Sequence, residues 1–480
     1  MADSPGSRDS TVSSRRTVLK TLGAASMVGI AGCSSGDGGS PTSTPDPSGD
    51  GGDGGTTGTP ASGEWPDLSG TEVHFLYGQP SEEAQQYFRG IGADFEDATG
   101  ATMNMEFTGI DNLQSRVTQL LQSNDPPELA QSNSQFAPTY ATQGILRPIT
   151  GVIETLIERY GDMTTGARQV YDGEDRYMPL WANPQVFFYR NDLSDTVPDT
   201  WDNLLAYAEE VDQSDEVDHG NYQPAGTGSH AFWHTVSFAY TNDVKIVERQ
   251  NGDVVSALDQ GQNRSRWIEV LEFFRNRYQY SPAATDSSWS GALNSIPQGV
   301  AGSSWYGGAR IINEVNRQNS PFAEAVDITW PEGRSRTFTG GTDGFVSFQG
   351  SNSDAADAFL EFMTQPEYLA PIYWTFSNVH NAPVYPGIKE SDTFQQELET
   401  LIEETTWTQE RVDFYQSTAV DEMNFVANDT EEPHPYAGTI ISSNVLPDMV
   451  AEVLVNDQDP GAAVDTYSAE LQEILEDAQG

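Results

Sequence analysis

The chain has 480 residues, of which 72 are Asp or Glu and 23 are Lys or Arg, so its formal net charge at pH 7 is −49. A hydrophobic content of 36%, with 10% aromatic residues, is enough to build folded cores and argues against a wholly disordered acidic chain. The charge also excludes a nucleic-acid-binding protein, because no basic patch is available to contact phosphates.

We interpret the acidic excess as adaptation to high salt. At molar ionic strength the Debye length is about 3 Å, so surface carboxylates repel one another weakly and keep the protein dissolved. A pair of carboxylates in this sequence is therefore a poor indicator of catalysis.

Three ordered signals in residues 1–33 predict export and membrane attachment. Arg15 and Arg16 lie in a segment, Ser14–Lys20, that resembles the twin-arginine export signal, with Val in place of the usual Phe. A mildly apolar stretch follows that is too short to span a membrane. It ends at Cys33, the only cysteine, in a sequence that resembles a lipobox. We expect Cys33 to be lipidated and to hold the protein on the extracellular face of the cell membrane.

The next segment is expected to be a disordered tether. Residues 34–66 consist mostly of Gly, Ser, Thr, Pro and Asp, a composition that cannot bury apolar area. About thirty such residues span roughly 30 Å on average, so the folded body would work close to the membrane.

The folded body opens with alternating strands and helices. Residues 71–77 have a strand pattern, the alternation of Met103, Met105 and Phe107 indicates a second strand, and residues 82–99 and 111–121 have the apolar spacing of helices. This order predicts a parallel α/β sheet, in which ligands bind beyond the carboxyl ends of strands. Gln79 and Asn133 occupy such positions, and we predict both as ligand contacts.

Further strands are predicted at residues 177–181 and 186–189, interrupted by Asn183-Pro184. Helices are predicted at residues 201–211, 231–240, 264–279 and 309–317, and residues 327–330 and 344–348 look like strands. No repeat of 20–50 residues is present, so a solenoid or propeller is not expected.

Six spaced segments resemble the family 1 extracellular solute-binding proteins, the sugar-type binders of ABC importers. The most specific is Val197–Leu205, which is close to the family pattern x-P-x-T-W-D-E-L-L. The other segments are Asn124–Leu129, Gln143–Ile149, Asp172–Leu180, Phe188–Leu193 and Phe359–Glu367.

The resemblance implies an α/β clamp of the type II periplasmic-binding-protein class, with two lobes, parallel or mixed sheets and flanking helices. Lobe one is expected to contain residues 67–182 and 338–380, and lobe two residues 183–337 and 381–480. The solute would bind in the cleft between the lobes.

Sugar binding needs aromatic ring faces and planar polar groups. The resemblance makes Trp305 the first choice for a stacking ring, in a presumed loop at residues 302–308 that also holds Tyr306. It places Asn183 at a hinge beside the cleft, and His230 and Trp233 at the start of a helix. Trp305→Ala is expected to lose at least tenfold affinity.

Two further residues complete the predicted contacts. Asp343 ends a Gly-Gly-Thr-Asp segment that precedes a predicted strand and could present backbone N–H groups and one carboxylate, and Tyr436 could line lobe two. Each of the predicted contacts could instead be a core or turn residue.

No catalytic, metal or cofactor site is expected. His230 and His234 are four residues apart, but the HExxH pattern requires Glu where Ala231 stands. Phosphate-binding and nucleophile-elbow motifs are missing from the sequence.

The sequence therefore predicts a monomeric binding protein for a small polar solute, most simply a sugar, that hands its ligand to ABC permease subunits. Two alternatives stay open. The protein could be an exported carbohydrate-active enzyme, or a lipid-anchored sensor with the same fold.

Overall fold

The computed structural model describes residues 65–78, 82–164, 166–283, 288–350, 352–374, 379–430 and 433–479. The strands are β1 (Glu72–Gly78), β2 (Thr102–Thr108), β3 (Leu129–Asn133), β4 (Val170–Tyr171), β5 (Glu174–Asp175), β6 (Tyr177–Arg190), β7 (Val247–Gln250), β8 (Asp253–Ser256), β9 (Ser303–Gly307), β10 (Val326–Thr329), β11 (Phe338–Ser347), β12 (Ala382–Pro383) and β13 (Met423–Asn424).

The helices surround these strands. They are α1 (Glu82–Thr99), α2 (Ile110–Gln122), α3 (Ala137–Thr142), α4 (Thr150–Tyr160), α5 (Trp201–Val211), α6 (Ser229–Thr241), α7 (Gly261–Tyr278), α8 (Trp289–Ser295), α9 (Arg310–Arg317), α10 (Ser353–Met363), α11 (Pro366–Trp374), α12 (Asp392–Glu404), α13 (Gln409–Asp413), α14 (Ala419–Asp421), α15 (Ala437–Ser443), α16 (Val445–Leu454) and α17 (Pro460–Gln479).

Lobe one is built on the predicted parallel strands. β1 pairs in parallel with β2 and with β3, and β11 then pairs antiparallel with β3. Buried aromatic rings join this sheet to its helices: Phe75 of β1 lies 6.2 Å from Phe88 of α1 and 5.3 Å from Phe359 of α10, between ring centroids. The helix periodicity read from the sequence therefore places the apolar faces against the sheet.

One long strand connects the lobes. The sequence predicts two strands broken at Asn183-Pro184, and this prediction is wrong, because β6 runs without interruption for 14 residues. Its first part pairs with β11, and its second part pairs with β9 and β10. Pro184 has no N–H to donate, but its carbonyl accepts the N–H of Gly308 at 3.1 Å, so the ladder continues on one edge.

In lobe two, helix α6 packs on β11 and β9, and helix α7 packs on α6. The core of this lobe contains Trp267, Phe273 and Phe274 of α7, together with Phe238 of α6, all nearly inaccessible to solvent. Helices α16 and α17 pack on α7 and close this side of the lobe. These aromatic residues belong to one apolar core that is continuous with the core of lobe one.

Our expected lobe boundaries can be refined at one place. Helix α12 lies within the segment expected in lobe two, yet Phe394 of α12 packs on Trp374 of α11, with 4.7 Å between ring centroids. Farther along, Arg411 pairs with Asp327 of β10 at 3.0 Å. We propose that the chain passes from lobe one to lobe two after α12.

In the parts of the chain that the structure describes, no helix is long and apolar enough to cross a membrane.

Gly344 is expected to be essential for the pairing of β11 with β6. A Cβ added there would overlap the carbonyl of Met178 and lie 2.9 Å from the Cα of Pro179, both backbone atoms that cannot move aside. Gly344→Ala should therefore lower the free energy of unfolding by at least about 2 kcal/mol, measured by denaturant titration in concentrated KCl.

Gly90→Ala is the matched control. Gly90 lies on the exposed face of α1, and a Cβ there meets no atom within 4 Å. This substitution should raise the free energy of unfolding by about 0.5–1 kcal/mol. Equal effects of the two substitutions would contradict the close packing at Gly344.

Candidate functional site

A cavity of about 510 Å³ lies between the lobes. Lobe one contributes residues of α2, β3, α3 and β11, and lobe two contributes residues of α6, α8 and α15. The lining residues are Leu113, Gln114, Val117, Gln131, Ser132, Asn133, Gln135, Phe136, Tyr140, Ser229, Trp233, Trp289, Asp343 and Ile441. Three of the predicted contacts, Asn133, Trp233 and Asp343, are therefore brought together.

The end of β3 supplies polar groups to this cavity. The Asn133 side-chain oxygen accepts the N–H groups of Gln135 and Phe136, both at 3.1 Å, and so fixes the turn into α3. Its amide nitrogen is left to donate. The neighbouring Ser132 hydroxyl is buried and has no hydrogen-bond partner among the described residues.

Two glutamines extend this polar edge. Gln131 accepts the N–H of Gly78 at 3.0 Å through its side-chain oxygen, so its amide group is held at the end of β1. Gln135 lies against Gly341 of β11, where a Cβ would come 2.5 Å from its amide nitrogen. Neither glutamine is among the contacts predicted from the sequence.

Asp343 lies where β11 crosses between the lobes. The Asn183 amide donates to its Oδ2 at 2.6 Å, and Trp181 gives a second hydrogen bond. Desolvation outweighs these bonds and raises the pKa of Asp343 to about 6. Asn183 does not line the cavity, so we assign it to positioning Asp343.

Two tryptophans form the wall on lobe two. Trp233 lies in the first turns of α6, and Trp289 is the first residue of α8. The hydroxyl of Ser288 accepts the N–H of Gly291 at 3.1 Å and caps α8. The Trp289 indole N–H donates to the Ser229 hydroxyl at 2.9 Å, which fixes the plane of its ring.

Three predicted contacts pack behind Trp289 instead of lining the cavity. Ring centroids of His230, Trp305 and Tyr306 lie 4.9 Å, 5.9 Å and 5.4 Å from that of Trp289. The presumed loop at residues 302–308 is wrong, because this segment forms strand β9, paired with the second half of β6. Trp305 is only 1% exposed as a result.

The histidines of α6 are neutral core residues. Burial lowers the pKa of His230 to about 3 and that of His234 well below its ordinary value. His234 contacts the buried guanidinium of Arg277. Among the described residues, no group of three or more His, Cys, Asp or Glu is arranged to hold a metal ion.

The remaining predicted residues lie elsewhere. Tyr436 lines a second cavity, of about 990 Å³, and not the one around Asp343. The two cavities share no lining residue, and the Thr139 hydroxyl of α3 donates to the Pro435 carbonyl, next to Tyr436, at 2.9 Å. Gln79, Cys33, Arg15 and Arg16 lie outside the described residues.

The lining is suited to holding a polar molecule. Aromatic rings can cover the apolar face of a ligand, while amides, hydroxyls and one carboxylate meet its polar groups. Within the described residues, Asp343 is the only acidic residue of the lining, whereas glycoside hydrolysis commonly needs two carboxylates.

Solved structures with the same fold cover most of the chain. The GacH receptor of Streptomyces glaucescens, solved unliganded and with acarbose, is 15% identical, with a TM-score of 0.67 over 85% of this chain and 99% of that one. The sugar-binding protein MalE of Xanthomonas citri is 16% identical, with a TM-score of 0.68 over 85% and 98%.

A third similar structure is an ABC transporter solute-binding protein from Agrobacterium radiobacter in complex with ribitol. It is 18% identical, with a TM-score of 0.62 over 85% of this chain and 100% of that one. No curated protein matches this chain in sequence.

The sequence profile of one family matches residues 90–400, well over half of the chain. The fold agrees with it, since the molecule has the two-lobed architecture of periplasmic binding proteins, with a mixed sheet and flanking helices. The chain belongs to the bacterial extracellular solute-binding protein family.

Proposed function

We propose that this protein captures a sugar or oligosaccharide outside the cell and delivers it to the membrane permease of an ABC importer. The lining of the interlobe cavity carries this proposal: rings for the C–H face of a sugar, and amides, hydroxyls and a carboxylate for its hydroxyl groups. The ligands of the solved relatives, acarbose and ribitol, are polyhydroxylated and support the same class of solute.

We place the stacking wall at Trp289 and Trp233. Both rings line the cavity, and Trp289 is held in place by Ser229, His230 and Trp305. Trp305, the stacking ring chosen from the sequence, would then support the Trp289 ring from behind and would not contact the sugar itself. Binding energy from these contacts would favour the closed arrangement of the lobes.

We further propose that the protein works at the extracellular face of the membrane, as a monomer anchored through Cys33. The twin-arginine pattern at Arg15 and Arg16, the lipobox and the tether support this location. The acidic composition supports a working environment of high salt.

Binding without turnover is the direct test of the function. We expect isothermal titration calorimetry in concentrated KCl to show one-to-one binding of a sugar from a panel of mono- and oligosaccharides. Chromatography should recover that sugar unchanged. Hydrolysis or transfer of the sugar would favour a carbohydrate-active enzyme, and no binding across the panel would contradict the proposal.

Removing either cavity-facing ring should weaken sugar binding. Trp289→Ala and Trp233→Ala should each raise the dissociation constant about tenfold or more, because a buried stacking contact contributes about 1 kcal/mol beyond the buried area. Trp65→Ala is the control. Trp65 was predicted near the end of the disordered tether, but it is half-buried against Phe362 and does not line the cavity.

The buried Trp305 should behave differently from Trp289. Trp305→Ala is expected to lower the free energy of unfolding by about 3–5 kcal/mol as well as the affinity, because it leaves a hole behind the wall. Trp289→Ala should lower the affinity with a smaller loss of stability. If Trp289→Ala left the affinity unchanged, Trp289 would be removed from the site.

The ionised carboxylate of Asp343 should lower the free energy of unfolding of the unliganded protein near neutral pH. Its pKa is raised from 3.8 to about 6, so the folded state holds its proton more tightly than the unfolded state. The contribution of Asp343 to the free energy of unfolding should therefore be highest below pH 4. It should fall by up to about 3 kcal/mol as the pH rises through 6.

Asp343→Asn should remove that part of the pH dependence. At pH 7 the variant should be no less stable than the parent while binding sugar more weakly, because a charged acceptor is lost. Chemical unfolding from pH 4 to 8 measures the slope. An unchanged slope in Asp343→Asn would assign the pH dependence to other groups.

A further inference from the structure

One carboxylate faces the sugar cavity with no positive charge beside it. In the described part of the chain, the lining contains no Lys, Arg or His, and Asp343 is its only ionisable residue besides Tyr140. The side chain of Asp343 is partly buried, and its accessible edge faces this cavity. The charge of the site is therefore set by a single group.

No protein cation compensates this carboxylate at close range. Among the described residues, no Lys, Arg or His nitrogen lies within 4.0 Å of it, although 12 arginines elsewhere form such pairs with acids. Arg310 acts on it only from farther away. Asn183 and Trp181 donate hydrogen bonds but bring no charge. Buried charges in proteins are as a rule paired, which leaves the pairing position here to a ligand.

The rings around the cavity favour a cation as well. Phe136, Tyr140, Trp233 and Trp289 all line it. The face of an aromatic ring attracts an ammonium group, by about 0.5–1 kcal/mol at exposed sites and more where water is excluded. A sugar hydroxyl gains no comparable electrostatic attraction from the ring face.

The total charge of −49 does not by itself select a cation. At molar salt, charges separated by more than about 3 Å of solvent are screened, so the distant surface carboxylates contribute little to binding. A partly buried group such as Asp343 is screened much less. Any preference for a cationic ligand is therefore set by the groups that line the cavity.

We propose that the preferred ligand carries a protonated amine, so that an amino sugar pairs its ammonium group with Asp343 while its ring stacks on the tryptophan wall. This inference rests on the proposed function and narrows it from sugars in general to amino sugars. Its chemistry is reversible ion pairing with no bond made or broken.

Matched pairs of sugars test this inference. We would measure, by calorimetry in concentrated KCl at pH 7, the dissociation constants of glucose, galactose and mannose, and those of glucosamine, galactosamine and mannosamine. The amine should bind at least tenfold more tightly than its neutral partner in one pair or more. N-acetylated forms should lose this advantage, because the amide carries no charge.

Two variants identify the group responsible. In Asp343→Asn, the dissociation constants of a neutral sugar and of the matching amino sugar should differ by about threefold or less. Asp97→Asn changes the net charge equally at an exposed position of α1, outside the cavity, and should keep the difference found in the parent.

The outcomes separate this inference from the proposed function. If neutral sugars of the wider panel bind and no amine has an advantage, the amine preference is overturned while sugar binding stands. An amine advantage that survives in Asp343→Asn overturns the role of Asp343. Absence of binding by both neutral and amino sugars contradicts both proposals.

Discussion

The backbone ladder between β6 and β11 holds the two walls of the cavity in place. Both strands run from one lobe into the other, and their antiparallel pairing extends from Tyr177–Val346 to Pro184–Gly340. The ladder fixes Asn183 and Asp343 near the middle of this crossing, within one side-chain hydrogen bond of each other. Other cavity residues lie on helices and strands anchored to one of the two halves, so the geometry of the site depends on this pairing.

The position of Asp343 at the crossing makes its ionised carboxylate energetically unfavourable. A carboxylate placed between packed lobes loses much of its hydration, and the hydrogen bonds from Trp181 and Asn183 recover only part of that loss. Such unfavourable groups persist where function needs them. Two glycines lie beside Asp343 at the crossing. Gly340 lets β11 approach β6, because a Cβ there would lie 2.6 Å from the Asn183 carbonyl oxygen. Gly341 leaves room for the Gln135 side chain.

Local patterns in the sequence were sufficient for much of the fold. The apolar periodicity of α1 and α5 and the alternation in β2 predict those elements closely, because each buries one face against a neighbour. The continuity of β6 and the strand at β9 could not be read locally. They depend on hydrogen-bond partners more than a hundred residues away along the chain, in β11 and in each other.

The site was predictable in the same uneven way. Asn133 ends β3 and Trp233 lies in the first turns of α6, positions that topology directs to the cleft. Asp343 instead lies inside β11, where that strand crosses between the lobes, and all three residues line the cavity. Trp289 was missed because α8 has seven residues, too few to show an apolar period. The signal was present as a capping serine directly before a tryptophan, Ser288-Trp289.

Pro184 makes β6 stiffer than β11 at the connection between the lobes. Its ring holds φ near −65°, which removes one backbone rotation from β6 at the crossing. The residues paired across from Asn183 and Pro184 are Gly341 and Gly340, which lack side chains and resist torsion least. If one lobe rotates against the other, most of the twist would be absorbed by the glycine strand, and the proline strand would set the axis of that rotation.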